Sequence, residues 1–275
     1  MKITEKVSPR HPDKIADCIA GALVDYCYSQ EENPKCAFEV LIGHKHCYVT
    51  GETSVHVPDD VVLSIVERIC AGQVPATIKY IEVPQDRHLA ANQADEFRCG
   101  DNGVFAGFPM PEVHKEALAV CMALYDKYPY DGKIVRNQDD NTLTICWSNV
   151  TEKQVKEVEY FATSVNPIGD WTGGIEVDTG VTGRKLASDF YGIEYPLGGG
   201  TMHGKDLSKA DCSVNIYCFL KARATGEPQK AICSIGDAYV NINGERVDFA
   251  EIVDVARKYI KDLGGFEKLA EWGLR

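Results

Sequence analysis

The sequence predicts an α+β fold of three broadly similar sheet-plus-helix domains, over 1–98, 99–165 and 166–275. Three observations carry this. Segments with helical apolar spacing and short strand-like runs succeed one another in three blocks. The 275 residues are enough for a large core shared by one to three domains. No Pro/Ser-rich linker divides the blocks, and no strict period relates them, so their likeness is architectural.

His11–Gln30 reads as a helix, because Ile15, Ile19, Leu23 and Cys27 recur every four residues and Pro12 stands in the first turn. Cys36–Ile42 and Cys47–Glu52 read as paired strands around Gly43-His44-Lys45-His46. Pro58 opens a helix with Val61, Ile65 and Ile69 on one face, and Ala76–Val83 is a strand. A polar loop runs from Pro84 to Asn102, and Glu112–Lys127 is a helix. Ile134–Asn137 and Thr142–Trp147 flank the turn residues Gln138-Asp139-Asp140-Asn141. Thr151 and Gln154 form a capping box, predicting a helix over Thr151–Thr163. Asp206–Ala222 is a helix, Lys230–Ile235 and Tyr239–Ile242 are strands, and Phe249–Leu263 is an amphipathic helix.

Net charge is −12, which argues against nucleic acid as the main partner. A local cationic cluster can still serve a small anion. The eleven cysteines include no CxxC pair, are odd in number and lie mostly in apolar runs. They read as reduced thiols packed as small hydrophobes, which points to the cytoplasm. No apolar signal core opens the chain and no run approaches membrane-spanning length, so no membrane partner is expected.

Arg184, Lys185, Lys205 and Lys209 lie close together in sequence, among glycines 180, 183, 192, 198, 199, 200 and 204. Glycine permits close backbone approach and the cations supply charge, a pattern that suits a polyphosphate; a solvated basic loop is the plainer reading. Gly199–Asp206 nearly fits a P-loop but places Asp206 where a magnesium-binding hydroxyl belongs, and Tyr195-Pro196-Leu197 before it is no buried strand. No Gly-x-Gly-x-x-Gly fingerprint supports a dinucleotide site. His11-Pro12-Asp13-Lys14 opens the first helix, where an anion is favoured and where Asp13 could equally be a simple partner of the helix dipole. Asp13 and Asp211 are candidate magnesium carboxylates. His44 and His46 lack the further ligands a zinc site needs.

Taken together, these segments resemble S-adenosylmethionine synthetases (methionine adenosyltransferases). Glu5 to Asp17, centred on His11-Pro12-Asp13-Lys14, resembles that family's opening. Gly100-Asp101-Asn102-Gly103 looks like its Gly-Asp-Gln-Gly, and Asp178 to Lys185 like its Asp-x-Gly-Leu-Thr-Gly-Arg-Lys. Gly198 to Asp211 resembles its most specific signature. The four segments stand in the family's order. The resemblance implies the family's three-domain fold, trimmed in the middle over 104–165 and at the C-terminus at Arg275.

It also implies roles by position. His11 and Lys133 would contact ATP, and Arg184, Lys185 and Lys205 would grip its triphosphate; these five form the expected catalytic set. Asp101, Asp131 and Asp178 would face the nucleoside or methionine, Trp171 would stack on adenine, and Thr201 belongs to the ATP set. Glu52 and Lys209 would bind the methionine zwitterion, with Gln85 and Asp178 beside them. Asp13 and Asp211 would hold Mg2+, and Glu39 matches a position associated with K+. The implied reaction transfers adenosyl from ATP to the sulfur of L-methionine and hydrolyses the released triphosphate to pyrophosphate and phosphate. The family's site lies between subunits, so a homodimer is the minimum assembly, with pairing into tetramers left open.

Some positions depart from the pattern. Arg10 replaces a glycine and adds charge and bulk beside the phosphate site; Asp170 replaces a basic ATP contact; Asn102 shortens a Gln; Cys212 replaces an Arg. The loop over 84–99 matches poorly, which leaves gating of the site open. The alternative to an active enzyme is an inactive ATP-binding homologue that regulates a partner. An unrelated ATP-dependent kinase would need the phosphate loop that fails here.

Overall fold

The computed structural model describes residues 2–93, 96–190 and 200–275. β1 (Ile3–Val7) leads into α1 (Pro12–Gln30). The hairpin β2 (Cys36–Gly43) and β3 (His46–Thr53) follows, then α2 (Asp59–Cys70), β4 (Thr77–Val83) and the short α3 (Arg87–Asn92). β5 (Gly103–Gly107), α4 (Glu112–Lys127), the hairpin β6 (Gly132–Asn137) and β7 (Thr142–Trp147), and α5 (Glu152–Lys156) come next. β8 (Ser164–Val165), β9 (Thr179–Val181) and α6 (Leu186–Asp189) precede α7 (Ala210–Thr225). β10 (Gln229–Cys233), β11 (Tyr239–Ile242), β12 (Glu245–Asp248), α8 (Phe249–Leu263) and α9 (Phe266–Trp272) complete the described chain.

The strands form three four-stranded sheets, so the α+β prediction holds. Their orders are β1-β6-β7-β8, β4-β3-β2-β9 and β12-β11-β10-β5. Each sheet takes an edge strand from a distant part of the chain. β1 pairs with β6, β9 with β2, and β5 with β10, all antiparallel. Such non-local pairs cannot be read from local periodicity.

Each sheet buries one face under helices. α1 is buried along nearly its whole length. It shares one core with β2, β3, α7, α8 and the third sheet, while α4 and the first sheet form a second, smaller core around Trp147. Strand alternation turns the other faces outward, leaving Leu41, Tyr48 and Ile81 exposed on the second sheet and Val104, Ile232 and Tyr239 on the third.

Two expectations change. The helix expected to Thr163 ends at Lys156, although its capping box forms. Just beyond it, the Glu159 side chain accepts from the Phe161 N–H at 3.1 Å, an interaction that competes with helical pairing. The expected loop over 84–102 contains α3, capped by Asp86, whose side chain accepts from the N–H groups of His88 and Leu89. Gly192, Gly198, Gly199 and Tyr195-Pro196-Leu197 lie outside the described residues.

Candidate active site

The N-terminus of α1 gathers the first group of predicted residues. His11 is the N-cap, and its Nδ1 accepts from the Asp13 N–H at 3.1 Å. β9 runs hard against this turn. A Cβ on Gly180 would lie 2.0 Å from the Pro12 carbonyl oxygen, so only glycine fits there. That proximity lets the Val181 N–H donate to Asp13 Oδ1 at 2.8 Å. The Lys185 ammonium bonds the other carboxylate oxygen of Asp13, and Arg184 lies 3.9 Å away, its side chain largely exposed.

The electrostatics follow from this crowding. Burial alone would raise the Asp13 pKa, but the bonds from Lys185 and Val181 outweigh it and hold the carboxyl below its usual range. Burial pushes His11 down to about 4, with the charge of Lys185 adding to the effect. Asp178 and Lys133 also act on this imidazole, so they share its surroundings. Burial pushes Asp131 up to about 6, and the nearby Asp178 charge raises it further. Asp131 accepts from the Gly174 N–H at 3.0 Å, while Lys133 ion-pairs with Glu5 at 2.8 Å. Trp171 stands next to this group: a Cβ on Gly173 would touch both its ring and Asp131. A cavity of about 720 Å3 beside Trp171 is lined also by Asp170 and Val177.

A second group surrounds the start of α7. Lys205 Nζ lies 2.6 Å from Asp211 Oδ2, and a Cβ on Gly200 would collide with the same carboxylate at 2.2 Å. Lys209 is buried as the N-cap of α7. The Gly100 N–H donates to the Ser208 carbonyl at 3.1 Å, which holds the neighbouring, exposed Asp101 near this turn. The groups meet where a Cβ on Gly183 would lie 2.6 Å from Thr201 Cβ. Glu39 projects from the open face of β2 and accepts from the Thr182 hydroxyl. Glu52 is exposed on the same face, and Gln85 lies apart, beyond the end of β4.

Sequence reasoning missed a buried network directly behind these loops. Lys14 Nζ lies 2.7 Å from Asp189 and 3.1 Å from Asp17, with His203 Nε2 at 3.4 Å. Asp17, Asp189 and His203 bring ligand-type atoms within 4.8 Å of one another, a spacing that suits a metal ion. The Lys14 ammonium already sits among them, so the cluster is an ion network. Burial raises Asp17, whereas Lys14 and then His203 outweigh burial at Asp189 and hold it well below the usual carboxylate range. Asp17 also accepts the Gly183 N–H at 2.8 Å, tying the network to the Arg184-Lys185 loop. The legible signal was Lys14 and Asp17, one turn apart on a helix whose following residues, Cys18 to Val24, are all small or apolar.

The Arg10 guanidinium donates to the Cys70 carbonyl at 2.7 Å and to that of Ile69, capping the last turn of α2.

Comparison with known proteins identifies the family. Residues 1–83 match the N-terminal domain of S-adenosylmethionine synthetase, and 172–225 match its C-terminal domain. The S-adenosylmethionine synthase of Helicobacter pylori strain HPAG1 is 30% identical over 266 residues, covering 76% of this chain and 69% of that protein. The chain belongs to the S-adenosylmethionine synthetase family. The S-adenosylmethionine synthase of Helicobacter hepaticus is 29% identical over 294 residues, covering 86% of this chain and 76% of the relative. A solved Campylobacter jejuni protein, described as an unusual S-adenosylmethionine synthetase, matches 99% of this chain and 93% of its own at a TM-score of 0.79 and 19% identity, a likeness of fold. As a member of this family the chain is placed among transferases of S-adenosylmethionine biosynthesis. Among the described residues, no helix is long and apolar enough to cross a membrane.

Proposed function

We propose that the protein is an S-adenosylmethionine synthetase that joins ATP to L-methionine in the cytoplasm. The observation that carries this reading is the convergence of His11, Asp13, Asp131, Asp178, Arg184 and Lys185 at the α1 N-terminus. That end of a helix favours anions, and the cations around it suit a triphosphate. Lys205, on the adjoining turn, adds a further cation.

The chemistry asks for little else. The methionine sulfur attacks ribose C5′ and the triphosphate leaves with the bonding electron pair. A thioether needs no deprotonation, so no general base is required, and His11, held neutral by its low pKa, can serve as a hydrogen-bond partner. Arg184, Lys185 and Lys205 stabilise the departing charge. Holding sulfur in line with C5′ supplies the remaining advantage. Asp178, which is exposed, is proposed to face the sulfonium that forms. Trp171 offers a ring for adenine, and Thr201, next to Gly183, closes the phosphate side. Asp101, Glu52, Gln85 and Lys209 are proposed for methionine and nucleoside contacts, and Lys133 for ATP. The triphosphate is then hydrolysed in the same site.

The residues fit the implied ions. Asp13 and Asp211 each offer a carboxylate now facing a lysine ammonium, and magnesium needs only one or two carboxylates beside phosphate oxygens and water. Bound magnesium neutralises charge on the leaving triphosphate. Glu39 and the Thr182 hydroxyl supply oxygen donors suited to potassium. A homodimer with shared sites is supported by the open, partly apolar faces of the second and third sheets, and by Glu39 and Glu52 projecting from such a face.

The test is a product assay with ATP, methionine, magnesium and potassium, reading S-adenosylmethionine by mass. Product that disappears without methionine or without magnesium is expected. ATP binding with no product overturns the proposal in favour of a non-catalytic ATP-binding homologue.

A further inference from the structure

Both cation-bearing turns of the proposed triphosphate site hinge on a glycine. Gly183, just before Arg184 and Lys185, takes φ +76°, and Gly204, just before Lys205, takes φ +75°. Glycine allows this left-handed backbone but has the most freedom to lose, so the direction of the cations depends on what holds each turn. The Gly204 carbonyl accepts from the Phe38 N–H of β2 at 2.7 Å, and a Cβ there would lie 3.0 Å from Ala20 Cβ on α1. The Gly183 N–H is held by a side chain instead, donating to Asp17 Oδ1 at 2.8 Å.

Asp17 stands on α1 one turn beyond Asp13, so the helix that presents His11 and Asp13 also places Gly183. Its other oxygen lies 3.1 Å from Lys14 Nζ. The Asp189 carboxylate takes Lys14 Nζ on one oxygen at 2.7 Å and His203 Nε2 on the other at 2.9 Å. Held below its usual range, that carboxylate is ionised and only accepts, so Nε2 carries the imidazole proton toward it. His203 in turn anchors the second glycine turn. Its backbone N–H donates to the Thr201 hydroxyl at 3.1 Å, and it directly precedes Gly204. Thr201 is the residue that a Cβ on Gly183 would meet, so the two turns touch where both are anchored. Apolar residues of like volume could fill this space at less cost, but they would fix no hydrogen-bond direction at Gly183.

We propose that Asp17 and His203 are positioning residues of the adenosyl transfer. Asp17 fixes Gly183, and with it Arg184 and Lys185. His203, held by Asp189, fixes Thr201 and the Gly204 turn before Lys205. Both side chains are buried behind the site and act through the backbone. Through them the α1 N-terminus and the two turns keep one spacing as charge moves onto the leaving triphosphate. Electrostatic stabilisation there depends on cations already in place when the bond breaks. This rests on the reaction proposed above and deepens it.

The experiment compares the full chain with Asp17→Ala, Asp17→Asn, His203→Leu and His203→Gln, each checked for folding by circular dichroism and Tm. Lys14 keeps Asp189 in both Asp17 variants, so its buried charge stays paired. Asn retains an oxygen for the Gly183 N–H, and Gln an N–H for Asp189. Asp17→Ala and His203→Leu are expected to lower kcat about tenfold or more with methionine KM within about twofold. Asp17→Asn and His203→Gln should recover most of that loss. A lowered Tm with kcat within about twofold in both Asp17→Ala and His203→Leu would overturn the assignment, because a purely structural role moves stability alone. Calorimetric titration with magnesium tripolyphosphate separates the positioning from the reaction. Binding about tenfold weaker in Asp17→Ala than in Asp17→Asn, in a protein that makes no product, keeps the positioning and removes the activity. Equal binding in these two variants removes the positioning whether or not product forms. If Asp17→Ala and His203→Leu do not fold, hydrogen exchange of the unaltered protein decides. The Gly183 amide should exchange about 100-fold or more slowly than that of its exposed neighbour Arg184, and equal rates would overturn the proposal.

Discussion

Lys14→Met removes the centre of the buried ion network and leaves its carboxylates in place. The Lys14 side chain is 1% exposed, and those of Asp17 and Asp189 are fully buried. Methionine matches lysine in length, so the loss is of charge rather than volume. Asp189 keeps His203 at 2.9 Å and Asp17 keeps the Gly183 N–H, but the ammonium that pairs with both acids is gone. Breaking a buried pair in this way costs about 3–5 kcal/mol, because a buried charge is left uncompensated. For a chain of this size that lowers Tm by roughly 6–20 °C. Urea denaturation and thermal melting of the two proteins side by side measure it. Since Asp17 also orients Gly183, the variant should bind ATP more weakly even where it is fully folded. A loss below about 1 kcal/mol would refute the reasoning, because it would mean that these carboxylates do not depend on Lys14 for their charge.

Three further outcomes follow from the site. Asp131 has its pKa raised to about 6, so its folded form holds a proton that the unfolded chain releases near the ordinary carboxylate value of about 3.9. The stability this contributes is complete below about pH 4 and is lost as pH rises through about 6, so Asp131→Asn should gain on the unaltered protein across that window in Tm measured against pH; a constant difference would refute the shift. Lys205→Ala should lower product formation about 100-fold or more with the fold retained, since Lys205 is partly exposed and its loss costs Asp211 one ion pair; full activity would remove it from the triphosphate site. Asp178→Ala, at an exposed position, should leave Tm nearly unchanged and raise the methionine KM; an unchanged methionine dependence would count against its role.

What the sequence revealed was what local spacing encodes. α1, α4 and α8 stand where their apolar periods place them, and the two principal hairpins stand where their turn residues do. β1 escaped notice because its inward positions are Thr4 and Lys6, so the alternation is hidden by polar residues that find buried partners only after folding. Lys6 donates to the carbonyls of Ser188 and Trp272, contributed from far along the chain. Asp189 and His203 were invisible for the same reason: their meaning comes from Lys14, which lies 175 and 189 residues away. The residues proposed for the triphosphate stood out because glycines and cations crowd one stretch of chain, and the α1 cluster because a helix start is a local signal.

The departures from the family pattern are not equal in consequence. Arg10 directs its charge to the final carbonyls of α2, a favourable end of that helix for a cation, and so joins α2 to the turn that presents His11. Asn102 accepts the Ile235 N–H at 2.7 Å, bracing the Asp101 turn against the strand end beyond β10. Cys212 is fully buried in the main core, where burial keeps its thiol neutral, and it packs as a small apolar residue. Each of these three is absorbed by the surrounding structure without bonding Arg184, Lys185 or Lys205. Asp170 is different. It is exposed and lines the cavity beside Trp171, the place proposed for the nucleotide, with no ammonium or guanidinium bonded to it among the described residues. Repulsion at that point bears on nucleotide affinity and not on folding, so if ATP binding is weak in this protein, its cause belongs at Asp170 before any of the buried substitutions.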